Sequence, residues 1–155
     1  KSLADTIVEK SGITGEKMEL PYYDKVSAES VVAYIHMGNK LATLIGFNQP
    51  NVDIQVGKDV AMQAAAMSPV AIDKTDVPAN IIDEELLIAK EKARLEGKPE
   101  EMLDKIAQGR LAKFFKESTL LNQECVKDNK LTIAQLLANS SKGLTVTAMK
   151  RYALK

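Results

Sequence analysis

The chain has 155 residues, 45% of them hydrophobic and 27% charged, which is enough for one core of ordinary domain size. Its 21 basic and 21 acidic residues cancel, so no excess positive charge drives binding along a phosphate backbone, and nucleic acid is not the default partner. A single cysteine, Cys125, excludes an internal disulfide framework and a cysteine-built zinc site and fits a reducing compartment, and no apolar run approaches the ~18 residues of a membrane span.

The chain opens on Lys1 within a helix over residues 2–10, with Leu3, Ile7 and Val8 on one face, and reads as a piece of a longer polypeptide. Residues 11–16 form a turn by composition, and Lys17-Met18-Glu19-Leu20 alternates as a strand should, with Pro21 placing it at an edge. Strands over 30–37 and 41–47 flank Gly38-Asn39-Lys40, which predicts an antiparallel hairpin. Pro50, Asn51 and Asp53 break the chain before a helix over about 56–67, rich in small residues and ended by Ser68-Pro69.

Two long helices follow, over 76–98 and 99–119. The run Glu96-Gly97-Lys98-Pro99 ends one and starts the next, because glycine takes the left-handed C-terminal cap and proline suits a first helical turn. Ile82, Leu86, Ala89 and Ala93 in one arm, and Leu103, Ala107, Leu111 and Phe114 in the other, each form one apolar stripe. About 6 turns per arm can project from a small body and meet a second protein, which favours a protein partner over a substrate. Thr132-Ile133-Ala134-Gln135 has the form of a capping box, predicting a helix over 133–139, and a last strand follows over 144–153. The fold class is α+β: a small antiparallel sheet with packed helices and a projecting helical hairpin. Residues 1–75 form the core, 76–119 the hairpin and 120–155 the return to the core.

Little catalytic chemistry is visible. His36 is the only histidine, and no serine, cysteine or lysine stands beside an orienting base. Glu84-Glu85 and Glu100-Glu101 sit in predicted first turns, where negative charge offsets the helix dipole. No phosphate-cradling glycine motif occurs, and no metal or cofactor is expected. His36, just before a turn, is either a hydrogen-bonded structural residue or a contact residue at a hairpin tip. Gly109 within a helix costs about 1 kcal/mol relative to alanine, so either the other arm or a partner's backbone should approach it. Phe114 and Phe115 are expected against the body at the hairpin's base, and Cys125 as a small packed residue.

Five segments in order carry a resemblance: Gly15-Glu16; Tyr34-Ile35-His36-Met37-Gly38-Asn39-Lys40-Leu41; the run from Lys58 to Pro69 with Ala61-Met62-Gln63-Ala64-Ala65-Ala66-Met67; Glu96-Gly97-Lys98-Pro99 through Gln108-Gly109-Arg110-Leu111 to Phe115; and Leu120 to Asp128. The chain resembles the elongation factor Ts family, guanine-nucleotide exchange factors of elongation factor Tu. That resemblance implies an α+β core of two related subdomains and a helical hairpin that serves in self-association, here Ile82, Leu86, Ala89, Leu103, Ala107 and Gly109. It implies that His36, Met37 and Gly38 face elongation factor Tu, with Gly15 and Val126 in further contact segments, in a bacterial cytoplasm or an organelle matrix. The 58–67 helix and Arg110 are then core or scaffold.

The resemblance also has gaps. These residues hold neither the family's ubiquitin-associated-like N-terminal domain nor its Thr-Asp-Phe-Val motif, which Thr75-Asp76-Val77-Pro78 only approximates. The usual Ile-Gly-Glu appears as Thr14-Gly15-Glu16, and the usual Pro-Phe before Val126 as Glu124-Cys125. The alternative is a structural assembly module with no exchange role of its own.

Overall fold

Period-two burial in two neighbouring segments builds the sheet. In the computed structural model, which describes residues 1–155, β1 (Ser30–Ile35) pairs antiparallel with β2 (Leu41–Phe47), and β2 pairs with β3 (Val146–Ala153), giving the order β1-β2-β3. Thr43, Ile45 and Phe47 alternate onto one face and are buried there against α2 (Ile54–Met67). Asp53 caps α2 by accepting from the Val56 N–H at 3.0 Å, which starts this helix two residues ahead of the predicted Val56. Gly57 lets α2 lie against β1, since a Cβ there would stand 2.7 Å from Val32 Cγ2. The Thr43 hydroxyl donates to the Ala61 carbonyl at 2.8 Å, and Arg151 Nε to that of Ala65 at 3.2 Å, pinning helix to sheet.

On the other side of α2, Leu120, Cys125 and the helix α5 (Ile133–Ser140) complete one core with Ile45, Phe47, Val60, Ala64, Leu137 and Val146. The predicted capping box opens α5: the Gln135 N–H donates to Thr132 Oγ1 at 3.2 Å and the Thr132 N–H to Gln135 Oε1 at 2.9 Å.

The helical hairpin consists of α3 (Ala79–Leu95) and α4 (Leu103–Ser118). Gly97, at φ 77°, ends α3 in a Schellman motif: Lys98 N–H donates to the Ala93 carbonyl and Gly97 N–H to that of Arg94, both at 3.0 Å. Pro99 then leads into a short 3-10 turn, Glu100–Met102, ahead of α4. Ala89, Ala93, Leu103, Ala107 and Leu111 are buried where the arms meet. Lys90–Asp104, Arg94–Glu100 and Arg110–Glu96 pair across the arms at 2.6–2.8 Å. At its base the hairpin's ends are stitched together, Val70 N–H to Ser118 O at 2.8 Å and Leu120 N–H to Ala71 O at 3.0 Å, so the excursion leaves the core continuous.

Several expectations need correction. No strand forms over Lys17-Met18-Glu19-Leu20: Met18 and Leu20 remain exposed, and the Met18 N–H donates to Ser11 Oγ rather than to a neighbouring strand. Alternation without a buried face does not make a strand. The helix α1 (Leu3–Thr14) runs through most of the expected turn and ends at Gly15, and it buries no residue. Residues 15–29 instead form a strap across the outer face of the sheet, where Val26 and Ala28 meet Gly46 and the Tyr22 ring stacks on Tyr152 at 4.9 Å. α3 starts after Pro78, so Glu84-Glu85 lies beyond the first turn and does no dipole work there. Phe114 and Phe115 are half-buried rather than buried. A Cβ at Gly109 would meet nothing within 4 Å, so approach of the other arm does not explain that glycine.

Candidate partner-binding surface

His36, Met37 and Gly38 lie in the tight connection from β1 to β2. The Asn39 N–H donates to the His36 carbonyl at 2.9 Å, and the His36 N–H donates to the Leu41 carbonyl at 2.8 Å. Gly38 stands third in that turn at φ 91°, the left-handed value a type II turn requires, and Asn39 follows at φ 57°. With its backbone fixed on both sides, the turn holds Met37 in solvent, 92% exposed. Tyr34 Oη lies 3.0 Å from His36 Nδ1, so the imidazole is held against the strand behind it, with the donor set by the tautomer.

Val126 occupies a different surface. Ala61 and Ala65 of α2 face the sheet, and Gln63, two residues on at 100° per residue, faces the opposite way toward residues 123–126. Val126 is 56% exposed there and forms part of the rim of two clefts. The larger, of about 440 Å³, also includes Met67, Lys113, Lys116 and Glu117, and the smaller, of about 130 Å³, Asp59, Met62 and Lys127. Neither contains a residue of the His36 turn, so Val126 and the His36 turn do not share a pocket. Gly15 lies apart from both and caps α1 at φ 72°, with open space around its α-carbon.

In the hairpin, Ala89, Leu103 and Ala107 are buried between the arms, Ile82 and Leu86 are half-buried, and Gly109 is exposed. Leu87, Leu95 and Met102 are exposed apolar side chains on the same arms. Arg110 joins them as scaffold, its guanidinium 2.8 Å from Glu96 of the other arm.

No three His, Cys, Asp or Glu side chains converge in a way that could hold a metal ion. Burial pushes the Cys125 thiol up, reinforced by Asp128 and Asp59, the reverse of what a reactive thiolate needs. Gln63 was legible in the sequence only as one polar residue inside Ala61-Met62-Gln63-Ala64-Ala65-Ala66-Met67, yet it is fully buried and contacts the segment that ends in Val126.

Known proteins match this chain from end to end. The family model for elongation factor Ts matches residues 1–155. The chain is 54% identical over 154 residues to elongation factor Ts of Porphyromonas gingivalis, covering 99% of this chain and 56% of that protein. Identity is 51% over 154 residues to elongation factor Ts of Azobacteroides pseudotrichonymphae, covering 99% of this chain and 56% of that protein. For elongation factor Ts of the more distant Thermobifida fusca it is 43% over 157 residues, covering 98% and 55%. The chain thus spans a little over half the length of the curated relatives it matches, and no helix in it is long and apolar enough to cross a membrane. With the family model matched along its whole length, the chain belongs to the elongation factor Ts family.

Proposed function

We propose that this chain supplies the anchoring part of a guanine-nucleotide exchange factor for elongation factor Tu. The match of all 155 residues to elongation factor Ts carries the reading. An exchange factor makes and breaks no covalent bond. It binds the nucleotide-free state of its partner more tightly than the nucleotide-bound state and so shifts the equilibrium toward release. Its surface must therefore be rigid enough to discriminate between two shapes of the partner. The His36-Met37-Gly38 turn suits that demand, because its backbone hydrogen bonds fix an apolar side chain in solvent beside a histidine. Gly15 and Val126 add contacts to either side.

The test is His36→Ala in a full-length elongation factor Ts carrying this segment, read by release of fluorescent GDP from elongation factor Tu. The His36 ring is exposed and has one side-chain partner, so the melting temperature should stay within a degree or two while affinity falls about fivefold. Unchanged affinity would return His36 to a purely structural role.

The hairpin supports a second reading, self-association. Ala89, Ala93, Leu103, Ala107 and Leu111 of its apolar stripes are buried arm on arm, whereas Ile82 and Leu86 stay half-buried, Leu87, Leu95 and Met102 are exposed and Gly109 leaves room for a close neighbour. Light scattering over a concentration series tests it, and a mass that stays monomeric throughout would refute it.

A further inference from the structure

Residues 123–126 are extended, and their two edges are satisfied differently. Along one edge the Cys125 N–H donates to the Leu131 carbonyl at 2.8 Å and the Ile133 N–H to the Gln123 carbonyl at 3.0 Å, as in a strand pair. Along the other there is no strand. The Glu124 carbonyl and the Val126 N–H both point at the Gln63 carboxamide: Nε2 donates to the carbonyl at 3.0 Å and Oε1 accepts from the N–H at 2.8 Å. A primary amide carries its N–H and C=O on the same edge, and a strand presents the carbonyl of one residue and the N–H two residues on in the same direction, so the two match. The remaining Gln63 N–H reaches Gln123 Oε1 at 3.2 Å, and Gln123 Nε2 in turn donates to the Glu117 carbonyl in the last turn of α4 at 2.9 Å.

Both glutamines are buried, Gln63 at 1% exposure, so unmade bonds there would not be replaced by water. Strand alternation does the rest. With Cys125 turned into the core, Glu124 and Val126 must face out.

We propose that Gln63 is a positioning residue for partner binding: its carboxamide holds the Glu124–Val126 backbone so that Val126 meets elongation factor Tu, and Gln123 ties the same segment to the base of the hairpin. This rests on the reading that Val126 is a contact. Methionine at 63 keeps the length and loses all the bonds. Glutamate keeps the Val126 acceptor but sets a carboxylate against two carbonyl-type oxygens, which raises its pKa. Once protonated, it again offers one donor and one acceptor.

The experiment compares Gln63→Met, Gln63→Glu and Val126→Ala in a full-length elongation factor Ts carrying this segment. It measures hydrogen exchange of the 123–127 peptide and affinity for elongation factor Tu from GDP release between pH 6 and pH 8. At pH 8 both Gln63 variants should exchange about tenfold faster over 123–127 and bind about five- to tenfold more weakly. Relative to the parent at each pH, the Gln63→Glu variant should recover toward pH 6 and Gln63→Met should not, a pattern that general destabilisation does not produce. If Gln63→Met fails to fold, the pH course of Gln63→Glu decides alone. Unchanged exchange over 123–127 overturns the proposal. So does a loosened segment with undiminished affinity while Val126→Ala does weaken binding. If Val126→Ala binds like the parent, the contact reading itself falls and takes the proposal with it.

Discussion

Replacing Gly46 by alanine tests how the strap is held to the body. Gly46 sits on β2 facing outward, and a Cβ built there would lie 2.9 Å from Ala28 Cβ, 3.1 Å from Ala148 Cβ and 3.2 Å from Val26 Cγ1. Carbon atoms pack at about 3.5–4.0 Å, so each neighbour must retreat by several tenths of an ångström. Neither alanine methyl can rotate away, and each moves only with its backbone. Ala148 is paired with Gly46 in the β2–β3 ladder and cannot recede without breaking it, whereas the strap has no ladder and should yield. Overpacking of this kind costs about 1–3 kcal/mol, and replacing glycine within a strand returns about 0.5–1 kcal/mol. The net expectation is a loss of about 1–2 kcal/mol, or about 2–8 °C in melting temperature for a chain of this size. Thermal unfolding by circular dichroism reads the first quantity, and limited proteolysis at Lys25 reads release of the strap. Adding Ala28→Gly removes the nearest atom and should restore at least half of the loss. A Gly46→Ala chain as stable as the parent, with no faster cleavage at the strap, would refute the packing argument.

The strap also carries a pH signature. A hydrogen bond from the Tyr152 hydroxyl, 2.6 Å away, holds the Asp24 carboxyl below its ordinary value, aided by the Lys25 N–H and by Lys150, and the same bond pushes the Tyr152 phenol up. A carboxyl lowered by folding stabilises above its unfolded pKa and loses that contribution as pH falls through the folded one. A raised phenol stabilises below its unfolded pKa and loses it as pH rises through the folded one. Protection of the strap should therefore plateau between about pH 4 and pH 10 and fall off on both sides. Tyr152→Phe should return the Asp24 titration, followed by NMR, toward ordinary carboxylate values, and an unmoved titration would rule out the clasp. In α4, where the space around Gly109 is open, Gly109→Ala should stabilise the hairpin by about 0.5–1 kcal/mol and raise the melting temperature of the monomer. A fall in melting temperature at low protein concentration would contradict that geometry.

What could be read from the residues alone was whatever depends on neighbours within a few positions. Gly97 and Pro99 announce the hairpin because a left-handed cap and a helix start are decided locally, and Thr132 with Gln135 announces α5 for the same reason. The turn at Gly38 was legible on that basis too, and it placed His36 and Met37 at a tip. Lys17-Met18-Glu19-Leu20 misled because its alternation has no surface to pack against, a fact about distant segments rather than about those four residues. Val126 has no local signature at all, and only the family resemblance singled it out.

Gln63 shows why such residues escape a sequence reading. Its polar partners, Gln123, Glu124 and Val126, lie 60, 61 and 63 positions along the chain, beyond the whole hairpin. Within its own helix it looks like an error in an alanine-rich face, and only the return of the chain after α4 supplies the backbone groups it satisfies. The hairpin's stitched base is what permits that return. With Val70 bonded to Ser118 and Leu120 to Ala71, residue 120 re-enters the core beside the point where residue 71 left it, and the next few residues run past α2. A change in the arms that shifted the last turn of α4 would move the Glu117 carbonyl, and through Gln123 it would disturb the clamp on Val126. The arm and the Glu124–Val126 segment are thus mechanically joined at two buried carboxamides, although nothing in the sequence places them side by side.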